Sequence, residues 1–169
     1  VKTLHIELLL DPDWKGSPPH NTSPLVHLNL SHPGGTRWED WALLRRLKSL
    51  RIHAGVALTR LSNLTSLISI TDLRLIDNQE LQETPDLGEL QTVSTLHIVG
   101  SPRWSGEKEV GRLTQLRSLD LAGSGISDLS HLRDLDKLHT LDISCAGRLH
   151  DVRPLRLLPR LSKVTAYRM

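Results

Sequence analysis

The sequence predicts an α/β solenoid, in which short repeats stack along one axis and each repeat contributes one strand to a parallel β-sheet. Three observations support this fold class. The frame apolar-x-x-apolar-x-apolar occurs eight times, its copies begin 22 to 24 residues apart, and several of the segments between copies carry apolar residues at every third position. The frames are VKTLHI from Val1, LVHLNL from Leu25, LKSLRI from Leu47, ITDLRL from Ile70, VSTLHI from Val93, LRSLDL from Leu116, LHTLDI from Leu138 and LSKVTA from Leu161.

Each frame predicts a short strand. Leu119-Asp120-Leu121 and Leu141-Asp142-Ile143 alternate apolar and polar residues, which is typical of a strand with one buried face. Frame positions one, four and six should point into the core, and positions two, three, five and seven should point away from it. Because neighbouring strands lie about 4.8 Å apart, equal positions of successive repeats should form columns.

The segments between the frames predict 3₁₀ turns. In ISDLSHLRDLDKL, from Ile126, the apolar spacing is three, which fits neither an α-helix nor a strand. Side chains at i and i+3 of a 3₁₀-helix eclipse, so this spacing forms one apolar stripe. The same spacing occurs in WEDWALLRRL from Trp38, LTRLSNLTSL from Leu58 and VRPLRLLPRL from Val152.

The frame and its period resemble those of leucine-rich repeat proteins, whose pattern L-x-x-L-x-L-x-x-N/C-x-L recurs about every 20 to 29 residues. The continuation from Ile126 is most similar to the short-repeat, internalin-like bacterial subclass. The resemblance spans residues 1–169 and implies a single leucine-rich repeat domain. Its fold would be a right-handed superhelix with a parallel concave β-sheet and a convex side made mostly of 3₁₀ turns and loops. Neither end carries a polar capping repeat, so we expect a fragment of a larger protein.

The ninth position of the frame departs from this pattern. An Asn there normally bonds the backbones of neighbouring repeats as a ladder, and here only Asn78 fits. The other repeats place Leu9, Pro33, Gly55, Ser101, Ser124 and Ala146 at this position. We expect Ser, water or bare backbone to satisfy the turns there, and the turns to be looser.

Composition limits the possible functions. Of the 169 residues, 38% are hydrophobic and none is Phe, so the core must be aliphatic. The net charge of +2 provides no basic field for nucleic acid. No apolar run approaches the about 18 residues of a membrane span, so no membrane association is expected. A single cysteine, Cys145, excludes an intrachain disulfide and favours a cytoplasmic location.

Two segments interrupt the apolar stripe. DPDWKGSPPHNTSP from Asp11 and GSPRWSGEKE from Gly100 are rich in turn-forming residues and predict loops. They contain Trp14 and Trp104, which are candidates for partner contacts, although folding back over the convex edge is the favoured interpretation. Trp41 occupies a stripe position and is expected in the core.

The columns predict a binding surface. Column five contains His5, Asn29, Arg51, Arg74, His97, Asp120, Asp142 and Thr165, and column seven contains Glu7, Ser31, His53, Ile76, Val99, Ala122, Ser144 and Tyr167. Column five changes from basic to acidic, beside an apolar patch in column seven. This combination suits a protein or peptide partner, and the like-charged Asp120 and Asp142 favour a cationic one. The predicted partner-binding residues are Arg51, His53, Arg74, Ile76, His97, Val99, Asp120, Asp142 and Tyr167. A merely solvated face is the alternative.

Catalytic and metal motifs are missing from the sequence. No G-x-x-x-x-G-K-[ST] string occurs, and GSGIS from Gly123 lacks the lysine of a P-loop. Neither C-x-x-C nor H-E-x-x-H is present. His5 and His27 should lie on adjacent strands in different columns, without a third ligand. Although Ser, His and Asp are plentiful near Asp120, we expect no enzyme activity, no metal and no cofactor.

The repeats predict a recognition module. LLRRLKSLRI from Leu43 and DVRPLRLLPRL from Asp151 resemble repeats appended to larger bacterial signalling proteins, including nucleotide-binding leucine-rich repeat sensors. That resemblance implies a domain that senses a ligand or holds an adjacent ATPase domain of the same polypeptide inactive. The alternatives are a structural scaffold or spacer without a dedicated ligand, and a host-directed bacterial effector.

Overall fold

The computed structural model describes residues 4–9, 25–31, 44–54 and 58–168, with the backbone alone at residues 4–9 and Leu25. Eight strands form one parallel sheet whose order follows the chain. They are β1 Leu4–Leu9, β2 Leu25–Ser31, β3 Ser49–His53, β4 Asp72–Ile76, β5 Thr95–Val99, β6 Ser118–Asp120, β7 Thr140–Asp142 and β8 Lys163–Thr165. Each repeat therefore pairs only with its neighbours, which confirms the predicted solenoid with a parallel sheet.

The strands alternate in burial with a period of two. In β4, Leu73 and Leu75 are fully buried, whereas the side chains on either side of them are half-buried. The leucines of successive repeats join one continuous core, and Trp104 is its only aromatic member among the described residues. The aliphatic core follows from repeats that each add a thin layer, so no large side chain is needed to fill a globular centre.

The apolar spacing of three corresponds to a chain of backbone hydrogen bonds. The N–H of Leu67 donates to the carbonyl of Leu64 at 2.8 Å, and Ile70 donates to Leu67 at 3.2 Å. Similar bonds join Leu132 to Leu129, Leu135 to Leu132 and Leu138 to Leu135. Where the structure describes both of their ends, the 3₁₀ turns are Leu64–Ser66, Leu87–Glu89, Ser130–Leu132 and Arg153–Leu157. Most of the predicted turn from Trp38 lies outside the described residues. The prediction of 3₁₀ turns is confirmed, because these bonds bring every third side chain to the same side.

Each described repeat from β3 onward leaves the sheet through a residue in the left-handed conformation. These residues all occupy frame position eight, with φ between 53° and 65°, and are Ala54, Asp77, Gly100, Gly123, Cys145 and Arg168. Four of the six are not glycine, although this conformation disfavours a Cβ atom. The stacking of neighbouring repeats therefore holds these residues in a left-handed conformation that their side chains disfavour.

The ladder at frame position nine agrees with the prediction for Asn78 and for the serines, whereas the predicted looser turns stay a prediction. Asn78 is fully buried, and its Nδ2 donates to the carbonyls of Ile52 at 3.2 Å and Ile76 at 3.1 Å. Ser124 Oγ donates to the Leu121 carbonyl at 2.7 Å, and Ser101 is also buried. Hydroxyl groups thus take over part of the role of the asparagine. The side chains of Leu9, Pro33 and Gly55 lie outside the described residues.

The register of the first strand differs from the prediction. His5 pairs with His27, and Glu7 pairs with Asn29, so the predicted columns are wrong by two residues at β1. The prediction that His5 and His27 occupy different columns is also wrong. A slip of two residues keeps the same side chains on the buried face, so the alternation of apolar residues in LHIELL is compatible with both registers.

Trp104 lies in the core. Its side chain is fully buried, and its Nε1 donates to Thr84 Oγ1 at 3.1 Å. The possibility that Trp104 contacts a partner is therefore wrong. The favoured interpretation, in which Trp104 folds back over the convex edge, is right that the residue turns back onto the repeats, but its side chain lies within the core. The predicted loop also contains a short α-helix, Glu107–Val110. Proline and glycine predicted the turns correctly but carry no information about where the indole points. Trp14 and Trp41 lie outside the described residues.

Candidate binding surface on the sheet

The side chains at frame positions three, five and seven of β2 to β8 form one surface, which we call the sheet face. In column five the register places Asn29, Arg51, Arg74, His97, Asp120, Asp142 and Thr165 in file. The predicted alignment of the charged residues is thus confirmed from β2 onward. Parallel pairing in register brings equal positions of successive repeats next to one another.

Column seven forms a second file beside the first. His53 pairs with Ile76, and Ile76 pairs with Val99, so the two apolar side chains are neighbours. Strand β6 ends at Asp120, before column seven is reached. The pairing between neighbouring repeats nevertheless continues there, because the Gly100 amide donates to the Ala122 carbonyl at 2.9 Å. Tyr167, predicted at the end of this file, has 71% of its surface exposed. The predicted apolar patch is therefore present on the sheet face.

Arg74 is held by a carboxylate on its own strand. Its Nε and one terminal nitrogen each donate to a carboxylate oxygen of Asp72, both at 2.9 Å. These hydrogen bonds raise the pKa of Arg74 more than its partial burial lowers it. Asp72 was absent from the predicted site. The signal that could have found it is the opposite charge two residues away, because positions i and i+2 share one face of a strand.

The two aspartates of column five also have local partners. Asp120 Oδ1 accepts the Ala122 amide at 3.1 Å, and His97 Nδ1 lies 3.4 Å from the other carboxylate oxygen. Burial raises the pKa of Asp120, but the hydrogen bonds from His97 and the Ala122 amide together lower it by a larger amount. The pKa of Asp120 therefore lies below its ordinary value. Asp142 Oδ1 accepts the Ser144 amide at 2.8 Å in the same way. Each aspartate thus accepts a backbone amide two residues later, and this turn is a sufficient reason for an aspartate at both positions. The two neighbouring like charges are therefore no argument for a cationic partner.

These contacts leave two charges of column five without an ion pair inside the described ranges. Arg51 is exposed on β3, and its guanidinium makes no ion pair there. Asp142, on β7, uses one carboxylate oxygen for the turn, and it too makes no ion pair with another described side chain. Of the four charged residues that the sequence predicts in this strip, Arg51 and Asp142 are thus the two without a side-chain partner among the described residues.

A shallow depression surrounds the cationic end. Its volume is about 270 Å³, and it is lined by His27, Leu28, Asn29, Ser49, Arg51, Asp72 and Arg74. Two guanidinium groups and one carboxylate leave a net charge of +1 there when the histidine is neutral. Both oxygens of Asp72 accept hydrogen bonds from Arg74, so Arg51 is the charged side chain of the depression that makes no ion pair with a described residue.

Other parts of the described surface are less suited to a ligand. A depression of about 400 Å³ is lined by Gln82, Glu83, Arg103, Ser105 and Arg148. Two of its charges are already paired, Arg103 with Glu80 and Glu83 with Arg60. Within the described ranges, no group of three or more His, Cys, Asp or Glu side chains could hold a metal ion. No helix there has the length and apolar character needed to cross a bilayer.

Comparison with known proteins agrees with this architecture. No protein-family model and no curated protein matches the chain. Among solved structures, the leucine-rich repeat domain of the type III effector XopL superposes with a TM-score of 0.60 at 19% identity, covering 97% of this chain and 76% of that domain. The functional domain of InlJ from Listeria monocytogenes superposes with a TM-score of 0.57 at 18% identity. That match covers 71% of this chain but only 25% of the InlJ chain. The chain therefore has the leucine-rich repeat fold.

Proposed function

We propose that this leucine-rich repeat chain is a protein-recognition module whose sheet face binds a protein or peptide partner. The observation that carries this proposal is the pair of unmatched charges, Arg51 and Asp142, in one file beside the adjacent apolar side chains of Ile76 and Val99. Charges at an interface set orientation and increase the association rate, and apolar contacts contribute desolvation. The leucine-rich repeat fold places such a sheet on its concave side.

The sheet face is suited to binding because its backbone is already ordered. Each inner strand is hydrogen-bonded on both sides, so little backbone entropy is lost when a partner binds. Several side chains are also held in place, as Arg74 is by Asp72. A preorganised surface of this kind converts more of its contacts into affinity than a mobile loop would.

The module has two candidate biological settings. In a nucleotide-binding leucine-rich repeat sensor, a ligand on the sheet face would shift the equilibrium between an inactive and an active arrangement of a cytoplasmic protein with an adjacent ATPase domain. The likeness to the leucine-rich repeat domain of a type III effector favours a second setting, in which the partner is a host protein. A scaffold without a dedicated ligand is the contrary hypothesis.

Affinity capture with matched variants tests the proposal. The wild-type chain, Arg51→Glu and Val99→Glu would be immobilised, and proteins recovered from a lysate of the source organism and from a lysate of host cells would be quantified by mass spectrometry. Arg156→Glu is the control, because Arg156 is exposed in the 3₁₀ turn Arg153–Leu157, away from the sheet face. We expect proteins that the wild type and the control recover but both sheet-face variants lose, with unchanged circular dichroism. Equal recovery by all four chains would favour the scaffold.

A further inference from the structure

The charged side chains in the middle of the sheet face have partners within the chain. Between β3 and β7, Arg74 is bonded to Asp72, and Asp120 lies 3.4 Å from His97. The pair of Arg74 and Asp72 leaves little charge for a partner to neutralise, and Asp120 has a local partner in His97, which balances its charge only when the imidazole is protonated. A ligand that crosses the strands would therefore meet an unpaired cation at β3, a locally bonded and partly apolar middle, and an unpaired anion at β7.

The cationic end is suited to a carboxylate. The depression around Arg51 has a net charge of +1, and a volume of about 270 Å³ accommodates an Asp or Glu side chain. A guanidinium group matches the planar shape of a carboxylate and can donate two hydrogen bonds to it. Arg51 is exposed and is thus accessible for this contact.

The anionic end is suited to a lysine or arginine. The amide of Ser144 engages Oδ1 of Asp142, and Oδ2 of this half-buried carboxylate has no hydrogen bond or ion pair with another described residue. Between the two ends, Ile76 and Val99 offer an apolar contact beside column five. A strong polyanion such as nucleic acid would match the first end but would be repelled at the second.

The distance between the ends sets the spacing in the ligand. Four strand intervals separate β3 from β7, which amounts to about 19 Å at about 4.8 Å each. An extended chain advances about 3.3 Å per residue, so about six residues span this distance. We infer that the ligand is an extended peptide segment lying across the strands, with one acidic and one basic side chain about six residues apart and an apolar residue between them. This inference rests on the proposed function and specifies its partner.

Selection from a displayed library of random 12-residue peptides tests the inference directly. Against the wild-type chain, we expect enrichment of peptides with an acidic residue five to seven positions from a basic one, in either order, relative to the unselected library. Synthetic versions of the enriched peptides should lose about fivefold in affinity, measured by fluorescence anisotropy, when either charged residue is replaced by Gln.

Two variants should change the selected sequences in different ways. Arg51→Glu makes the depression anionic, so the enriched peptides should carry basic residues at both positions. Asp142→Asn keeps an oxygen that can accept the Ser144 amide but removes the charge, so the acidic residue should stay and the basic one should lose its preference. Arg156→Glu, the control away from the sheet face, should enrich the same sequences as the wild type.

The outcomes separate this inference from the proposed function. Enriched peptides without a spaced acid and base, or a pattern that neither variant changes, would contradict the inference. The sheet face could still be the binding surface in that case, if Val99→Glu abolished the enrichment. If the wild-type chain enriched no peptide and captured no protein that depends on its sheet face, the proposed function would fail together with the inference.

Discussion

The guanidinium group of Arg74 donates hydrogen bonds to both carboxylate oxygens of Asp72, two residues earlier on the same strand. The Asp72→Asn substitution would release Arg74 and raise the positive charge of the depression around Arg51. We expect a peptide that carries an acidic residue to bind about fivefold more tightly, equivalent to about 1 kcal/mol, as measured by fluorescence anisotropy. The free energy of unfolding should change by less than about 1 kcal/mol, because the pair is partly exposed.

The control for this prediction is Asp151→Asn. Asp151 also accepts hydrogen bonds from an arginine two residues away, Arg153, but it lies before the 3₁₀ turn Arg153–Leu157 rather than on a strand. Its substitution should leave peptide affinity unchanged. Weaker binding by Asp72→Asn than by the wild type would show that Asp72 assists the ligand instead of competing with it.

The lowered pKa of Asp120 predicts a pH dependence of stability. Its pKa is below 3.8 in the folded chain and close to 3.8 in the unfolded chain, so the unfolded state binds more protons in this region. The contribution of Asp120 is present above pH 3.8 and is lost as the pH falls through the folded-state pKa. The loss of stability between pH 5 and pH 2, from urea denaturation followed by circular dichroism, should be smaller for Asp120→Asn than for the wild type. Parallel curves for the two chains would contradict this cause.

The buried contact between Trp104 and Thr84 predicts two graded losses of stability. Trp104→Ala removes a fully buried indole and should cost about 3 to 5 kcal/mol of unfolding free energy. Thr84→Val keeps the volume but leaves the indole N–H without its acceptor, so it should cost about 1 to 3 kcal/mol. Ile68→Ala, at a side chain with 60% exposure, should change stability by less than about 0.5 kcal/mol. Equal effects of Thr84→Val and Ile68→Ala would argue against the hydrogen bond.

The ladder residue Asn78 predicts a difference between two small substitutions. Asn78→Ala leaves the carbonyls of Ile52 and Ile76 without their side-chain donor, and should cost about 2 to 4 kcal/mol in urea denaturation. Asn78→Ser should cost less, because serine hydroxyls donate to backbone carbonyls at the equivalent positions Ser101 and Ser124. If both variants lost the same stability, the serines at this frame position would not be acting as ladder residues.

The left-handed turn at Cys145 predicts a stabilising substitution. Cys145 is exposed and has a φ of 58°, which places its Cβ in an unfavourable position. Cys145→Gly should raise the thermal midpoint and the free energy of unfolding by about 1 kcal/mol, the relief of strain exceeding the added entropy of the unfolded chain. Cys145→Ser retains the Cβ and should leave both values unchanged. A destabilised glycine variant would show that the cysteine side chain makes a favourable contact.

Particular residues show where sequence reasoning succeeded and where it failed. The spacing of three between Leu129 and Leu138 predicted the 3₁₀ turns correctly, because that spacing is a direct consequence of hydrogen bonds between residues three apart. The register of β1 was wrong because the run LHIELL keeps its apolar face after a slip of two residues. The burial of Trp104 was only one of two open interpretations, because it depends on Thr84, an acceptor 20 residues away.

The sequence by itself determined the repeat, the parallel sheet and the alignment of Arg51, Arg74, His97, Asp120 and Asp142, because these follow from periodicity along the chain. The tertiary structure decided which of these charges remain available, through the pairing of Arg74 with Asp72 and of Asp120 with His97 and the Ala122 amide. Periodicity specifies which residues share a face. The distances and angles that turn neighbours into hydrogen-bonded pairs arise only when the repeats stack.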